Sequence, residues 1–272
     1  MNRFLVLTAV VGLIGCSPSP PPAAPPPAKQ QPMEHGHQGH EAMASNEMLM
    51  VSTKPARIEA GKPVQLNLMI HGADGKTVKQ FETIHTKLIH LIIVRDGLDQ
   101  FAHVHPDVDD KGNITIAHTF PVGGKYRLYA DHKSKGNDET TAIAELQVEG
   151  ETPKPAQLVP SVPGKALGDN LDAQVIMEHV EAGKPATITF ELFDKTGKAA
   201  NDLQPYLGAM GHLVIISADG QQFVHAHPEE GGHTRNRVAF MAHFKTAGIY
   251  KAWGQFQRED KVATIPFVIE VK

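Results

Sequence analysis

The sequence predicts an all-β protein: two tandem immunoglobulin-like β-sandwiches behind a disordered N-terminal tether. Three observations predict it. Sliding residues 56–106 by 122 positions lays them on 178–228 without a gap, and fifteen of the fifty-one positions are identical. Each copy carries short runs in which apolar and polar residues alternate, the period of a half-buried strand. Gly, Pro, Asp and Asn interrupt those runs at short spacing, so six or seven strands fit into about 95 residues, the density of a sandwich.

The N-terminus comes first in the chain. Arg3 precedes an apolar run from Phe4 to Gly15. The run is too short for a membrane-spanning helix and suits a secretory signal, here residues 1–15. It ends Leu13-Ile14-Gly15-Cys16, which resembles the bacterial lipoprotein cleavage motif, in which the Cys becomes the lipidated first residue of the mature chain. Acyl chains contribute roughly 0.8 kcal/mol per buried CH₂, so a multiply acylated Cys16 is a firm membrane anchor. Ser17 follows it; by the same resemblance a residue other than Asp favours the outer membrane, facing the periplasm of a diderm cell. Cys16 is the single cysteine. Once it is acylated no disulfide can form, and metal ligands must be His, Met, Asp or Glu. A cleaved signal with an incidental Cys is the plainer alternative.

Residues 16–50 form the tether. Residues 17–32 are mostly Pro, Ala and Ser, a composition that favours an extended polyproline II spacer. The segment Met33-Glu34-His35-Gly36-His37-Gln38-Gly39-His40-Glu41-Ala42-Met43 follows, with Met48 and Met50 beyond. It has no apolar period and is expected to be disordered. Met33, His35, His37, His40 and Met43 are candidate metal ligands, because His-rich tracts bind metal and thioether sulfur suits Cu(I). The alternative is a polar tether with no ligand role.

The two copies occupy residues 51–150 and 171–272. Residues 151–170, with Pro153, Pro155, Pro160, Pro163 and Gly164, are the linker. Val64–Ile70 and Ala186–Leu192 alternate cleanly. Ile89–Val94 and Leu213–Ile216 are continuous apolar runs, suited to central strands. Tyr126–Ala130 and Tyr250–Trp253 alternate again, and the copies close on Ala144–Val148 and Phe267–Val271.

Composition narrows the function. Charge is nearly balanced, with 26 Lys and Arg against 30 Asp and Glu, which gives no electrostatic case for nucleic acid. No Gly-rich phosphate loop, nucleophile elbow or Cys nucleophile is evident. The unusual counts are 16 His and 9 Met. Phe101-Ala102-His103-Val104-His105-Pro106 and Phe223-Val224-His225-Ala226-His227-Pro228 are the same phrase, and the repeat also lays His90 on His212.

In the second copy Asp219-Gly220 signals a two-residue type I′ turn. Counting outward from that turn, Ala218 pairs with Gln221, Val214 with His225 and His212 with His227. Side chains two apart share a face, so His212, His225 and His227 converge, with Met210 on the same face. In the first copy Asp96-Gly97 lies one position earlier, and a two-residue turn there would set His90 opposite His103. His90, His103 and His105 share a face under either register. Leu88 replaces Met210 there, and His85, His118 and His132 are further candidates without repeat partners. Three imidazoles on rigid strands are metal-site chemistry, since each can place a ligand nitrogen about 2 Å from one ion. The alternative is three core histidines bonded to backbone, with Pro106 and Pro228 simply ending strands. His71, His179, His233 and His243 lack repeat partners and are expected to be surface or local structure.

The tandem sandwich with Phe-x-His-x-His-Pro resembles the YtkA-like and related periplasmic copper-associated modules of bacteria, over most of residues 51–272. The resemblance implies an immunoglobulin- or cupredoxin-like fold that binds or delivers metal outside the cytoplasm. Without a Cys ligand, a blue-copper electron-transfer centre is disfavoured. The expected function is a lipid-anchored copper-binding protein for sequestration, chaperoning or resistance, with zinc as the other metal and metal efflux or delivery proteins as partners. An adhesion or scaffold module without metal is the alternative. A His₃ zinc enzyme is disfavoured because no general base is repeated beside both triads.

Overall fold

The structure is a computed structural model and describes residues 40–41, 47–161 and 164–272. The expected signal segment, Cys16 and the candidate tether ligands Met33, His35, His37 and Met43 lie outside the described residues. Among the described residues every regular element is a strand, and the ladders pair antiparallel. Each copy is a sandwich of two sheets.

In the first sandwich the back sheet runs Met48–Lys54, Pro63–His71, Ile114–Thr119 and Asp107–Val108 in spatial order. Its front sheet runs Glu139–Val148, Gly124–Ser134, Ile89–Arg95 and Phe101–Val104. In the second sandwich the back sheet runs Gly164–Leu167, Leu171–Glu178, Pro185–Asp194, Arg237–His243 and Pro228–Thr234. Its front sheet runs Lys261–Val271, Gly248–Arg258, His212–Ser217 and Phe223–Ala226, and the short strand His40–Glu41 pairs with the outer edge of Phe223–Ala226. Met48 to Met50, grouped with the tether on sequence grounds, thus begin the first sandwich. Gly164–Leu167, grouped with the linker, is an edge strand of the second.

Alternation fills each core from one face of each sheet. Leu91 and Ile93 point into the first core, Leu213 and Ile215 into the second. The intervening residues point the other way and are buried too, because the two front sheets pack against each other. Ile92, Val94, Leu98 and Tyr129 meet Val214, Ile216, Phe223 and Trp253 in a third apolar cluster. The continuous apolar runs have this cause: both faces of each central strand are covered, one by its own back sheet and one by the other sandwich. Each fully buried side chain of this size contributes about 1.5–3 kcal/mol.

The interface repeats one contact twice. Phe101 stacks on Trp253 with centroids 4.5 Å apart, and Tyr129 stacks on Phe223 at 4.9 Å. Phe101 and Phe223 are repeat mates, as are Tyr129 and Trp253, so the sandwiches face each other about a pseudo-two-fold axis.

The two hairpins leading into this interface correct the sequence expectation. In the second, Ser217 N–H donates to Gln222 O and the loop is the four residues 218–221. Ala218 N–H bonds instead to Ile249 O of the adjacent strand, so no type I′ turn forms, although the predicted pairing of Val214 with His225 holds. In the first, Asp96 N–H likewise goes to Lys125 O. Ile92 pairs with His103, so His90 does not oppose His103 as a two-residue turn would require. The loop keeps its mate's four-residue length because buried Leu98, at φ +58°, takes the left-handed position that Gly220 holds at +70°.

Candidate metal centre

Backbone parity places the histidines. His90 begins an outward-facing series with Ile92 and Val94, and His103 sits across from Ile92 on the neighbouring strand. His105 lies one residue past that strand. The second sandwich repeats the arrangement with His212, His225 and His227. Because the outward faces are the ones that meet, the two triads form one cluster rather than two separate ones. Ring centroids lie 5.1 Å apart for His90 and His225, 5.2 Å for His103 and His225, and 5.7 Å for His103 and His212. His85 joins as a seventh ring, stacked on His227 at 3.5 Å.

Hydrogen bonds fix the tautomers. His90 Nε2 lies 3.0 Å from Ile84 O, which only accepts, so Nε2 carries the proton and Nδ1 carries a lone pair. His103 Nδ1 lies 2.7 Å from Gln255 Oε1 across the interface, which leaves the lone pair on Nε2. These two lone-pair nitrogens stand 3.1 Å apart. His105 Nε2 is 3.2 Å from each of them. Whichever ring nitrogen of His105 holds its proton, His90 Nδ1 and His103 Nε2 face each other without one between them.

The second sandwich mirrors this wiring. His212 Nε2 donates to Tyr206 O, 2.9 Å away, and Tyr206 is the repeat mate of Ile84. His225 Nδ1 lies 2.8 Å from Asp131 Oδ2, and Asp131 is the mate of Gln255. The ring nitrogens of this half that face the cluster are therefore His212 Nδ1 and His225 Nε2. His212 Nδ1 and His227 Nε2 are buried with no hydrogen-bond partner among the described residues. Ring nitrogens of His90, His212 and His225 lie within 4.8 Å of one another, so His90 belongs to two sets: one with His103 and His105, one across the interface.

Five of the rings are held neutral. Burial is the first cause of a lowered pKa at His90, and it pushes His103, His212 and His227 well below the ordinary imidazole range. Repulsion from the neighbouring rings adds to burial at the last three. Burial also takes His105 down to about 3. Neutral imidazoles are the form that ligates metal.

The first triad fits an ion. Around a tetrahedral ion with bonds of about 2.0–2.1 Å, ligand atoms sit roughly 3.3 Å apart. The three nitrogens of the first sandwich lie 3.1–3.2 Å apart. Ile84 O and Gln255 Oε1 accept from the far ring nitrogens of His90 and His103, the kind of bond that would orient an imidazole bound to a metal.

Other sequence candidates lie elsewhere. Met210 sits in a bend before the strand His212–Ser217, so the period-of-two argument that set it on His212's face does not apply. His118 belongs to the back sheet and packs its ring edge-on against Phe120. His132 is buried, with Nε2 2.8 Å from Glu47 Oε2. His71, His233 and His243 are on back-sheet strands and His179 follows one, all on the side away from the cluster. His40 pairs by backbone register with His225. Asp131 and Gln255 were missed from sequence. They extend the alternation of Tyr129 and Trp253 by one step, and their strands run on to Ser134 and Arg258.

The two sandwiches also coincide with two matches to one family description, Domain of unknown function (DUF8832), at residues 44–150 and 166–272. The chain belongs to the DUF8832 family. Each sandwich is one DUF8832 domain, and the internal repeat is a repeat of that domain. The match is not to a copper-associated family, so the YtkA-like resemblance stands on the histidine motif alone. No curated protein matches the chain. Solved structures similar to it include FdeC, an Escherichia coli adhesin, at 13% identity and TM-score 0.28, covering 85% of this chain and 65% of that one. Invasin, a bacterial integrin-binding protein, is similar at 13% identity and TM-score 0.24, covering 81% and 39%. A carbohydrate-binding module of the β-sandwich superfamily is similar at 10% identity and TM-score 0.23, covering 83% and 91%. The chain thus spans under two thirds of the length of both the adhesin and invasin. Likenesses at these TM-scores carry no argument about what the paired DUF8832 domains do.

Proposed function

We propose that the paired domains bind a transition-metal ion at their interface, in a membrane-anchored, extracytoplasmic protein of metal sequestration, chaperoning or resistance. The observation that carries the reading is the pair of lone-pair nitrogens, His90 Nδ1 and His103 Nε2, held 3.1 Å apart with His105 Nε2 completing the triangle. An all-imidazole set suits copper and zinc alike. The thioethers of the N-terminal segment tilt the choice to copper. Cys16 would supply the lipid anchor, on the periplasmic face of the outer membrane in a diderm cell, and metal efflux or delivery proteins are the partner class. The role is binding rather than turnover. Asp131, the carboxylate that touches the cluster, is engaged by His225 Nδ1 and by Thr141 Oγ1 at 3.1 Å, an orienting position.

A second reading has one observation in its favour. The bonds from His103 to Gln255 and from His225 to Asp131 both cross the interface, as a metal-free polar clasp in a scaffold or adhesion module would need. The two readings part on a single experiment. Full-length wild type, His90→Ala and His105→Ala are dialysed against Cu(II) or Zn(II), and bound metal is counted. The metal reading expects an ion in wild type. Since His90 belongs to both ligand sets and His105 to one, it expects the deeper loss for His90→Ala. No bound ion in a folded wild type would leave the clasp.

A further inference from the structure

Away from the interface, on the back sheet of the first sandwich, three methionines are exposed. Met48, Met50 and Met69 keep 56%, 45% and 38% of their surface in solvent. Ladder register sets Met48 opposite His71 and Met50 opposite Met69. Residues two apart on a strand share a face, so all four side chains rise from one patch, while Leu49 and Ile70 point into the core. Directly opposed Cβ atoms sit about 4.5–5.5 Å apart, well within the span of two unbranched thioethers.

The second sandwich is an internal control. The repeat lays Met69 on Glu191 and His71 on Phe193, and their ladder partners are Gln174 and Asp172. No sulfur occurs there, and Asp172 instead holds Lys195 Nζ at 2.7 Å. The fold therefore does not require methionine on this face. Methionine is also neither β-branched nor aromatic, the types a strand face favours. Three thioethers and one imidazole do suit one chemical class, a soft monovalent cation.

We infer that Met48, Met50, Met69 and His71 form a surface site for Cu(I), distinct from the interface cluster. It stands on the opposite sheet of the first sandwich and does not depend on the interfacial reading. It lies at the start of the first sandwich, a few residues after the His- and Met-containing segment in sequence.

The test uses the full chain with Ag(I) as a redox-inert soft probe. Methionine methyl groups are labelled with ¹³C and followed by NMR during Ag(I) titration. The site predicts that the methyl signals of Met48, Met50 and Met69 shift together. It also predicts that Met48→Leu/Met50→Leu/Met69→Leu, which keeps apolar volume, binds one Ag(I) fewer. Zn(II) uptake by that variant should match wild type. Silent methyl signals at these three residues, or equal Ag(I) counts, would overturn the site; the wild-type titration gives that answer even if the variant misfolds. Loss of Zn(II) binding in wild type would count against the interfacial centre and leave this inference standing.

Discussion

The two halves of the histidine cluster are copies in sequence and differ in the groups behind their rings. In the first sandwich the three ligand nitrogens stand 3.1–3.2 Å apart, already at the spacing of a coordination sphere. Ring centroids are spaced alike in the two triads, 4.7–5.3 Å in the first and 4.5–5.7 Å in the second, and His85 from the other sandwich lies over His227. The orienting groups differ as well. A neutral amide, Gln255, holds His103, while a carboxylate, Asp131, holds His225. A carboxylate raises the basicity of the imidazole it orients more than an amide can. Duplication supplied one scaffold twice, and a single outer position then made the halves unequal: an amide stands behind His103 and a carboxylate behind His225.

The largest effect expected is on the apposition itself. Phe223 is fully buried whereas its mate Phe101 is half-buried. Phe223→Ala should cost about 3–5 kcal/mol of stability, with a smaller loss for Phe101→Ala. Chemical denaturation measures both, and the emission of Trp253, the single tryptophan, reports whether the interface has opened. Equal costs would mean that the pseudo-two-fold axis is closer to true symmetry than the burial implies.

Next in size are the orienting residues. Asp131→Asn, behind His225, should lower the divalent-metal affinity of the cross-interface set His90, His212 and His225 about 10–100-fold, the usual range for a residue that orients a ligand. Gln255→Leu should cost less, because it removes an amide. Competition against a chelator of known affinity measures both, and a larger loss at Gln255 would reverse the assignment of unequal halves.

Acid should expose the first half's dependence on neutral rings. Unfolded histidines take up protons near about pH 6.5. Folded His105 does so only near about 3, and burial lowers His90, His103, His212 and His227 as well. Between those limits the unfolded histidines bind more protons, so their contribution to stability is complete above about pH 6.5 and falls as pH drops below it. Urea midpoints of metal-free protein at pH 7.5 and 4.5 should show that fall, and His105→Ala should make it shallower. A midpoint independent of pH would contradict buried, neutral rings.

The smallest effect belongs to the opposite sheet. Met50→Leu, on an exposed face, should leave stability within about 0.5 kcal/mol of wild type and divalent binding unchanged.

Much of this arrangement was legible from the sequence, for reasons specific to each residue. Two-residue periodicity placed His103 with His105 and His225 with His227 on one face whatever the turn. The register of the second hairpin followed from counting even though its loop is longer than a type I′ turn. The first hairpin misled because Asp96-Gly97 imitates a tight turn, while buried Leu98 holds the register through a left-handed backbone. The meeting of the two triads was hidden, since local periodicity cannot say what covers the second face of a central strand. The unbroken run Leu91-Ile92-Ile93-Val94 was its one trace. Asp131 and Gln255 escaped because the alternation visible in sequence stops a residue short of them.

On the proposed reading, His90, His103 and His105 hold one ion between them. Anomalous diffraction at the copper or zinc edge, from crystals of the metal-loaded full chain, tests it most directly. A peak is expected about 2 Å from His90 Nδ1, His103 Nε2 and His105 Nε2 together. A map with the three rings in their present positions and no peak between them would contradict it.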